Sequence, residues 1–233
     1  MFNVKIADVV IGIDNKNEYA KYFYKDYITQ EGNPAFTVSA NEDEIQKAYD
    51  EAERKFMDCA ECLCLFRHIC ENLIKYNAFV MHSATVCVDN KAYAFAAASG
   101  TGKSTHLNLW REVLGDKLKV INGDKPIIKL NSDGFYAYGA PFMGKEFWGE
   151  NINAPLKAIC FIERSPENHI RKLSEGEVIG RIFNQLLMPK DEKDMDKFMS
   201  LIDEMLTRVD FYLLECNMEI DAAKLSIKTM IGE

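Results

Sequence analysis

The residues with the clearest chemical pattern are Ser99, Gly100, Thr101, Gly102, Lys103, Ser104 and Thr105. Glycines at 100 and 102 let backbone N–H groups converge on one point, and a helix starting there adds the positive end of its dipole. Together these make a cradle for phosphate oxygens. The full pattern for such a loop is G-x-x-x-x-G-K-[ST], in which the lysine reaches the β- and γ-phosphates of ATP and the hydroxyl holds Mg²⁺. Gly102, Lys103 and Ser104 match it; Ala97 stands where the leading glycine belongs, and Gly100 supplies a glycine nearer the turn. Such a site needs an acid at the end of a neighbouring strand, to share Mg²⁺ or to take up a proton. Asp124, 21 residues after Lys103, follows a short apolar run and is assigned that role. Ser104 and Asp124 are the expected metal ligands.

The loop needs a strand before it and a helix after it. Residues 91–97 are apolar after Lys91 and lead straight into Ser99. Leu107, Leu109, Trp110 and Leu114 make the apolar stripe of a following helix, and Gly115 stops it. Upstream, 78–88 is a second apolar run. Asp89 and Asn90, which both tolerate positive φ, turn it back into a hairpin. Residues 118–121 make a short strand ending at Asn122-Gly123-Asp124.

The alternation continues in both directions. Residues 2–13 read as one strand and 35–39 as another, with Ser39 and Asn41 available to cap a helix. A helical stripe from 51 to 76 carries Phe56, Cys59, Leu63, Phe66, Cys70 and Leu73. Two strands surround 131–134, and a longer one covers 155–163. Ser174 and Glu177 form a capping box for a helix to about 187. A helix over 191–207, a strand over 211–216 and a last helix from 219 complete the chain. Mixed strands and helices of this kind imply an α/β sandwich with a mixed sheet. A single domain over 1–233 is expected, with 1–77 as a strand and long-helix layer and 78–233 as the nucleotide-binding core.

Composition narrows the class. Hydrophobic residues make up 48% and charged residues 27%, which is enough apolar material for a packed core and argues against disorder. The net charge of −8 disfavours a wide grip on a phosphate backbone, so nucleic acid is not expected as a partner. The longest apolar run, 92–98, is far short of a membrane span, and Asp8 interrupts any secretory apolar stretch. Seven cysteines without a regular framework imply reduced thiols and a cytoplasmic location. The 59–64 stretch, CAECLC, holds one C-x-x-C but sits in the helical stripe, so its thiols are read as helix core.

SGTGKST, entered from a hairpin, resembles the nucleotide loop of ATP-dependent phosphoenolpyruvate carboxykinases and of the HPr kinase/phosphorylase catalytic domain. MHSATV at 81–86, INGDKP at 121–126, YGAPFMGK at 138–145 and PLKAICFIER at 155–164 extend the resemblance over about 78–165. It is nearest to small bacterial HPr kinase-related proteins. The resemblance implies a P-loop sandwich of that type, places His82 as a catalytic histidine 21 residues before Lys103, and implies self-association. It also sets two departures, Ala97 for the leading glycine and Gly123 where the family shows a second acid. Mg²⁺ binding and proton abstraction then fall to Asp124 and His82 in an order the sequence leaves open.

Arg164, at a strand end, is read either as stabilising phosphoryl charge or as a solvated strand-end residue. The loop 139–145 is read either as a cover for the acceptor or as an ordinary surface loop. His68 is read as structural and His169 as solvated; His106 either touches phosphate or lies on the helix surface. Trp110 and Trp148 are read as packing residues. The function implied is Mg²⁺- and ATP-dependent transfer of a phosphoryl group to a hydroxyl of a small metabolite or of a protein serine. A nucleotide-binding regulator with little turnover and a hydrolase using water are the alternatives.

Overall fold

Ala7 and Asp8 both take positive φ, +49° and +58°, and turn the N-terminal chain back on itself. The expected single strand over 2–13 is therefore two, β1 (Phe2–Ile6) and β2 (Val9–Asp14), paired antiparallel. The structure, a computed structural model, describes residues 1–51 and 59–232. The chain forms two compact units, Met1–Tyr76 and Asn77–Glu233.

In the N-terminal unit a short helix, α1 (Tyr19–Phe23), follows β2, and β3 (Phe36–Ser39) joins the sheet parallel to β2. Asn41, not Ser39, caps α2 (Glu42–Glu51): its side chain accepts from Glu44 N, and the Glu44 carboxylate accepts from Asn41 N, each at 2.9 Å. The next helix, α3, runs Ala60–Leu73. The expected 51–76 helix thus appears in its second half, while 52–58, with Phe56, lie outside the described residues. Cys62, Cys64 and Cys70 are buried in α3, Cys59 is buried just before it, and all four are free thiols. Burial pushes the Cys62 thiol up to about 12. Glu61, buried on the same helix, accepts backbone N–H bonds from Lys16 at 2.6 Å and Asn17 at 2.9 Å, the partners a buried carboxylate requires.

The C-terminal unit is built on one mixed sheet. Its strands are β4 (Ala78–Val80), β5 (Ser83–Val88), β6 (Lys91–Ala96), β7 (Leu118–Asn122), β8 (Ile127–Leu130), β9 (Phe135–Tyr138), β10 (Asn153–Arg164), β11 (His169–Lys172) and β12 (Asp210–Cys216). The order is β4-β8-β9-β10-β6-β5-β7, with β12 also beside β10 and β11 beside β12. The long strand β10 is shared. Its first residues pair antiparallel with β9, and its remainder lies parallel to both β6 and β12.

Asp89 and Asn90, at φ +48° and +57°, make the expected turn between β5 and β6. The helices are α4 (Lys103–Leu114), α5 (Glu175–Ile182), α6 (Glu192–Arg208) and α7 (Ile220–Ile231). The Ser174–Glu177 capping box is present, but α5 ends at Ile182 and passes into a 3₁₀ turn over Phe183–Gln185.

Alternate residues of β5 (84, 86, 88), β6 (93, 95), β10 (158, 160, 162) and β12 (212, 214, 216), with Ala97 just after β6, build a core with Leu107 and Trp110 of α4 and Ala222, Ala223 and Ile227 of α7. His106 belongs to this core. It is 2% exposed, its ring lies edge-on to Phe95, and Nε2 meets Ser226 Oγ at 3.0 Å. The same hydroxyl accepts from Trp110 Nε1 at 2.7 Å. Both expectations for His106, phosphate contact and surface position, are corrected. Its place one turn before Trp110 on the same face puts it inside.

Burial lowers the His106 pKa from 6.5 to about 4. The unfolded chain therefore binds more protons between those values, so stability is full above about pH 6.5 and falls as the pH drops toward 4. Urea unfolding should show this histidine alone removing about 2–3 kcal/mol between pH 7 and about pH 4.5. His106→Leu should flatten that part of the pH profile. An equally steep loss in the variant would contradict the assignment.

Candidate functional site

β5 pairs antiparallel with both β6 and β7, with Ser83 opposite Ala96 and Thr85 opposite Asn122. β6 and β7 therefore run the same way and both end where β5 begins. The residue before β5 is His82, the loop after β6 is 97–102, and the loop after β7 is 123–125. β10 runs parallel to β6 with Phe161 beside Ala96, so Arg164 emerges at the same edge. Four separated stretches of sequence are brought to one place by strand register.

The loop has the backbone its glycines promise. Gly100 sits at φ +79° and Gly102 at φ +132°, conformations that side chains with a Cβ resist. Gly102 is the N-cap of α4, and no side chain caps that helix. Its first N–H groups, at the rim of the loop, have no intrahelical acceptor, and the positive end of the helix dipole lies there. Lys103 folds back across the loop and donates from Nζ to the Ala97 carbonyl at 2.9 Å. Burial lowers its pKa and Lys125 adds to that, while the Asp124 charge opposes both. Ala97 serves the loop through its carbonyl and is otherwise buried in the core.

Asp124 is the hub of the second element. Oδ1 meets His82 Nε2 at 3.2 Å, and Oδ2 accepts from Lys125 Nζ. Burial works to raise its pKa. The hydrogen bonds from His82 and Lys125 and their charges outweigh it and hold the carboxyl well below the usual carboxylate range. An ionised carboxylate only accepts, so the His82 contact requires hydrogen on Nε2 and leaves the lone pair of the neutral ring on Nδ1.

Asn122, fully buried, positions this acid. Its Oδ1 accepts from Asp124 N at 2.8 Å and Lys125 N at 2.7 Å, and its Nδ2 donates to the carbonyls of Ala140 and Phe142 at 2.9 Å each. The 139–149 loop is thereby tied to the acid. Gly123 donates to the Trp148 carbonyl at 2.8 Å. A Cβ at 123 would stand 3.1 Å from the Trp148 carbonyl oxygen and 3.2 Å from that of Met143. The space beside Gly123 is filled by that loop.

Arg164 lies on the outer lip of the loop. Nε donates to the Thr101 carbonyl at 3.1 Å and Nη2 to the Gly100 carbonyl. Two of its donors thus hold the loop, beyond the charge-stabilising role expected for it. Clefts flank this contact on both sides. One of 530 Å³ is bordered by Ala97, Ser99, Gly100, Arg164, Arg181 and Gln185. The other, of 410 Å³, is bordered by Thr105, His106, Leu109, Pro166, Asn217 and Met218.

Among the described residues no group of three or more His, Cys, Asp or Glu could cage a metal. Mg²⁺ carried on a nucleotide needs only one or two protein oxygens beside phosphates and water. The Asp124 carboxylate and the Ser104 hydroxyl are donors of that kind, and a carboxylate retains lone-pair positions beyond the two hydrogen bonds it accepts. The donor set fits a nucleotide-borne Mg²⁺.

The remaining candidates lie elsewhere. His68 joins the Ser39 carbonyl at 2.8 Å and Glu44 at 3.1 Å. His169 is exposed on β11, 3.7 Å from Glu215. Arg111 stacks over the Trp148 ring at 4.9 Å. Asn122 and Lys125 lie within the 121–126 stretch without any role assigned to them from sequence, and Gln185 carries no local motif. Gln185 enters the site because its carbonyl accepts from His82 N at 2.6 Å, a link across about a hundred residues of chain. No helix among the described residues is long and apolar enough to cross a membrane.

No family model matches the chain, and no curated protein matches it in sequence. Among solved structures, the Hpr(Ser) kinase/phosphatase from Coxiella burnetii is similar over 66% of this chain and 93% of its own, at 9% identity and a TM-score of 0.36. At that level the likeness says nothing about the site, which stands on its own geometry.

Gly123→Ala should cost about 1–2 kcal/mol in urea unfolding, because the 143–148 backbone must give way. Gly123→Asp should be at least as damaging and should not raise any turnover. An aspartate variant as stable as the wild type would contradict this packing.

Proposed function

We propose that residues 77–233 are a nucleotide-binding P-loop core of the HPr kinase and phosphoenolpyruvate carboxykinase type. On this reading the protein transfers the γ-phosphoryl group of ATP, carried with Mg²⁺, to a hydroxyl. The observation that carries the reading is the convergence of the His82–Asp124 pair with the Lys103 loop at one sheet edge. Neither element alone specifies chemistry. Together they put a phosphate cradle beside an imidazole held by a carboxylate.

The chain's own residues divide the work. N–H groups of Gly100, Gly102, Lys103 and Ser104 hold the triphosphate, that of Thr101 being bonded to the Ala98 carbonyl at 3.2 Å, and Lys103 exchanges the Ala97 carbonyl for phosphate oxygens. The phosphates then run from Thr105 toward Ser99. The 410 Å³ cleft at the Thr105 end, walled by Leu109, Pro166 and Met218, takes the nucleoside. Ser104 and Asp124 would hold Mg²⁺, which would supply positive charge to the phosphates. Asp124 keeps the His82 ring with Nδ1 as acceptor, so that Nδ1 takes the hydroxyl proton and Asp124 stabilises the imidazolium formed. Arg164, fastened to the loop, adds positive charge at its lip.

A second reading follows from Lys125. Its ammonium lies on Asp124 Oδ2, where it supplies positive charge without a metal. A protein in which that contact persists with nucleotide bound is a nucleotide-responsive binder with little turnover.

Labelled γ-phosphate from Mg-ATP, offered to a cell extract split into metabolites and proteins, separates the readings. Lys103→Ala should weaken ATP binding by about a hundredfold or more, and His82→Ala should lower transfer by about 10²–10⁴ with ATP affinity nearly unchanged. Lys103-dependent binding without transfer supports the binder. ATP binding indifferent to Lys103 overturns both.

A further inference from the structure

The 530 Å³ cleft lies at the other end of the loop, where the phosphotransfer reading puts the γ-phosphate. Its inner wall includes Ala97, whose carbonyl holds Lys103, and Gln185, whose carbonyl accepts from His82 N at 2.6 Å. Whatever occupies the cleft therefore lies against the residues that anchor the loop lysine and the histidine.

Two residues that border it, Gln185 and Arg181, each hold a polar atom that is shut off from solvent and has no partner. Gln185 is 8% exposed and its Oε1 is buried without a hydrogen-bond donor. Arg181 uses Nη1 on the Glu177 carbonyl and Nη2 on Glu163, each at 3.2 Å, but its buried Nε–H has no acceptor. Folded proteins seldom leave such atoms unsatisfied, and a small side-chain rotation would bring each to a guest in the cleft. One atom needs a donor and the other an acceptor, and a hydroxyl is both. The lining holds two cations, Arg164 and Arg181, and one carboxylate, Glu163, which suits a neutral or singly negative guest. The volume is that of a small-molecule site.

We propose that this cleft is the acceptor subsite, that Gln185 and Arg181 orient the acceptor, and that the acceptor is a free small molecule with several hydroxyls, a polyol or a hydroxy acid. The proposal rests on the phosphotransfer reading above. One hydroxyl oxygen attacks the γ-phosphorus, the bond from that phosphorus to the β–γ bridging oxygen breaks, and ADP leaves with that electron pair. The hydroxyl proton passes to His82 Nδ1. The remaining hydroxyls bond Gln185 and Arg181 and set which one reacts.

The test uses the full chain with Mg-ATP and four separate probes: glycerol, myo-inositol, D-glycerate and L-serine. At least one should raise ADP formation tenfold or more with saturation, carry the labelled phosphate, and raise the thermal midpoint in the presence of a non-hydrolysable ATP analogue. Gln185→Leu should raise that probe's KM tenfold or more while leaving the KM of ATP within twofold. Gly180→Leu provides a variant that spares the buried residues: Gly180 lines the cleft with open space where a Cβ would stand, so the added side chain plugs it and should have the same effect. Saturation by none of the probes, label found in protein instead, or an unchanged probe KM in both variants overturns the acceptor assignment while leaving ATP binding intact. Failure of ATP to bind at all overturns the phosphotransfer reading instead.

Discussion

The site depends on the register of β5. Because this strand is antiparallel to both of its neighbours, two strand ends and one strand start meet at a single edge. A slip of one residue would turn His82 away and move Ser83 and Thr85 off the buried face where their hydroxyls pair at 3.1 Å. That register is set at the far end by the Asp89-Asn90 turn and along its length by the core residues 84, 86 and 88. Packing energy spread over the sheet thus fixes the position of a few polar side chains.

Electrostatics then tune what register has assembled. Lys103, Asp124 and Lys125 act on one another's charge, and His82 joins through Asp124. Two cations and one carboxylate leave the edge locally positive on a chain whose net charge is −8. A polyanion is attracted to this edge and not to the surface at large. The buried amide of Asn122 holds the carboxylate in place from beneath and ties it to the 139–149 loop, so any movement of that loop is felt at Asp124.

Much of this was legible in the residues. Gly100 and Gly102 announced positive φ, Asp89-Asn90 announced a hairpin, and Asp124 stood after an apolar run. What stayed hidden was carried by contacts distant in sequence or by weak local signals. Ala7-Asp8 is a poor turn signal because alanine resists positive φ, so β1 and β2 read as one strand. β11 is an edge strand with mostly exposed residues and lacks an apolar alternation. His106 looked like part of the loop, yet helical spacing turns it toward Phe95 and Ser226. Gly123 read as a missing acid, whereas its bareness accommodates the Trp148 carbonyl. Gln185 carries no motif, and only the fold brings it to His82; Lys125 sits next to Asp124 in the 121–126 stretch, but nothing in the sequence shows that its ammonium turns back onto that carboxylate.

On the proposed function the 100–104 loop is a phosphate cradle whose lysine rests on the Ala97 carbonyl until nucleotide binds. A crystal structure with Mg²⁺ and a non-hydrolysable ATP analogue tests it most directly. The triphosphate should lie on the loop N–H groups, with Lys103 Nζ moved from Ala97 to phosphate oxygens and the metal held by Ser104 and Asp124. An analogue bound elsewhere, or bound with Lys103 still on the Ala97 carbonyl, would contradict it.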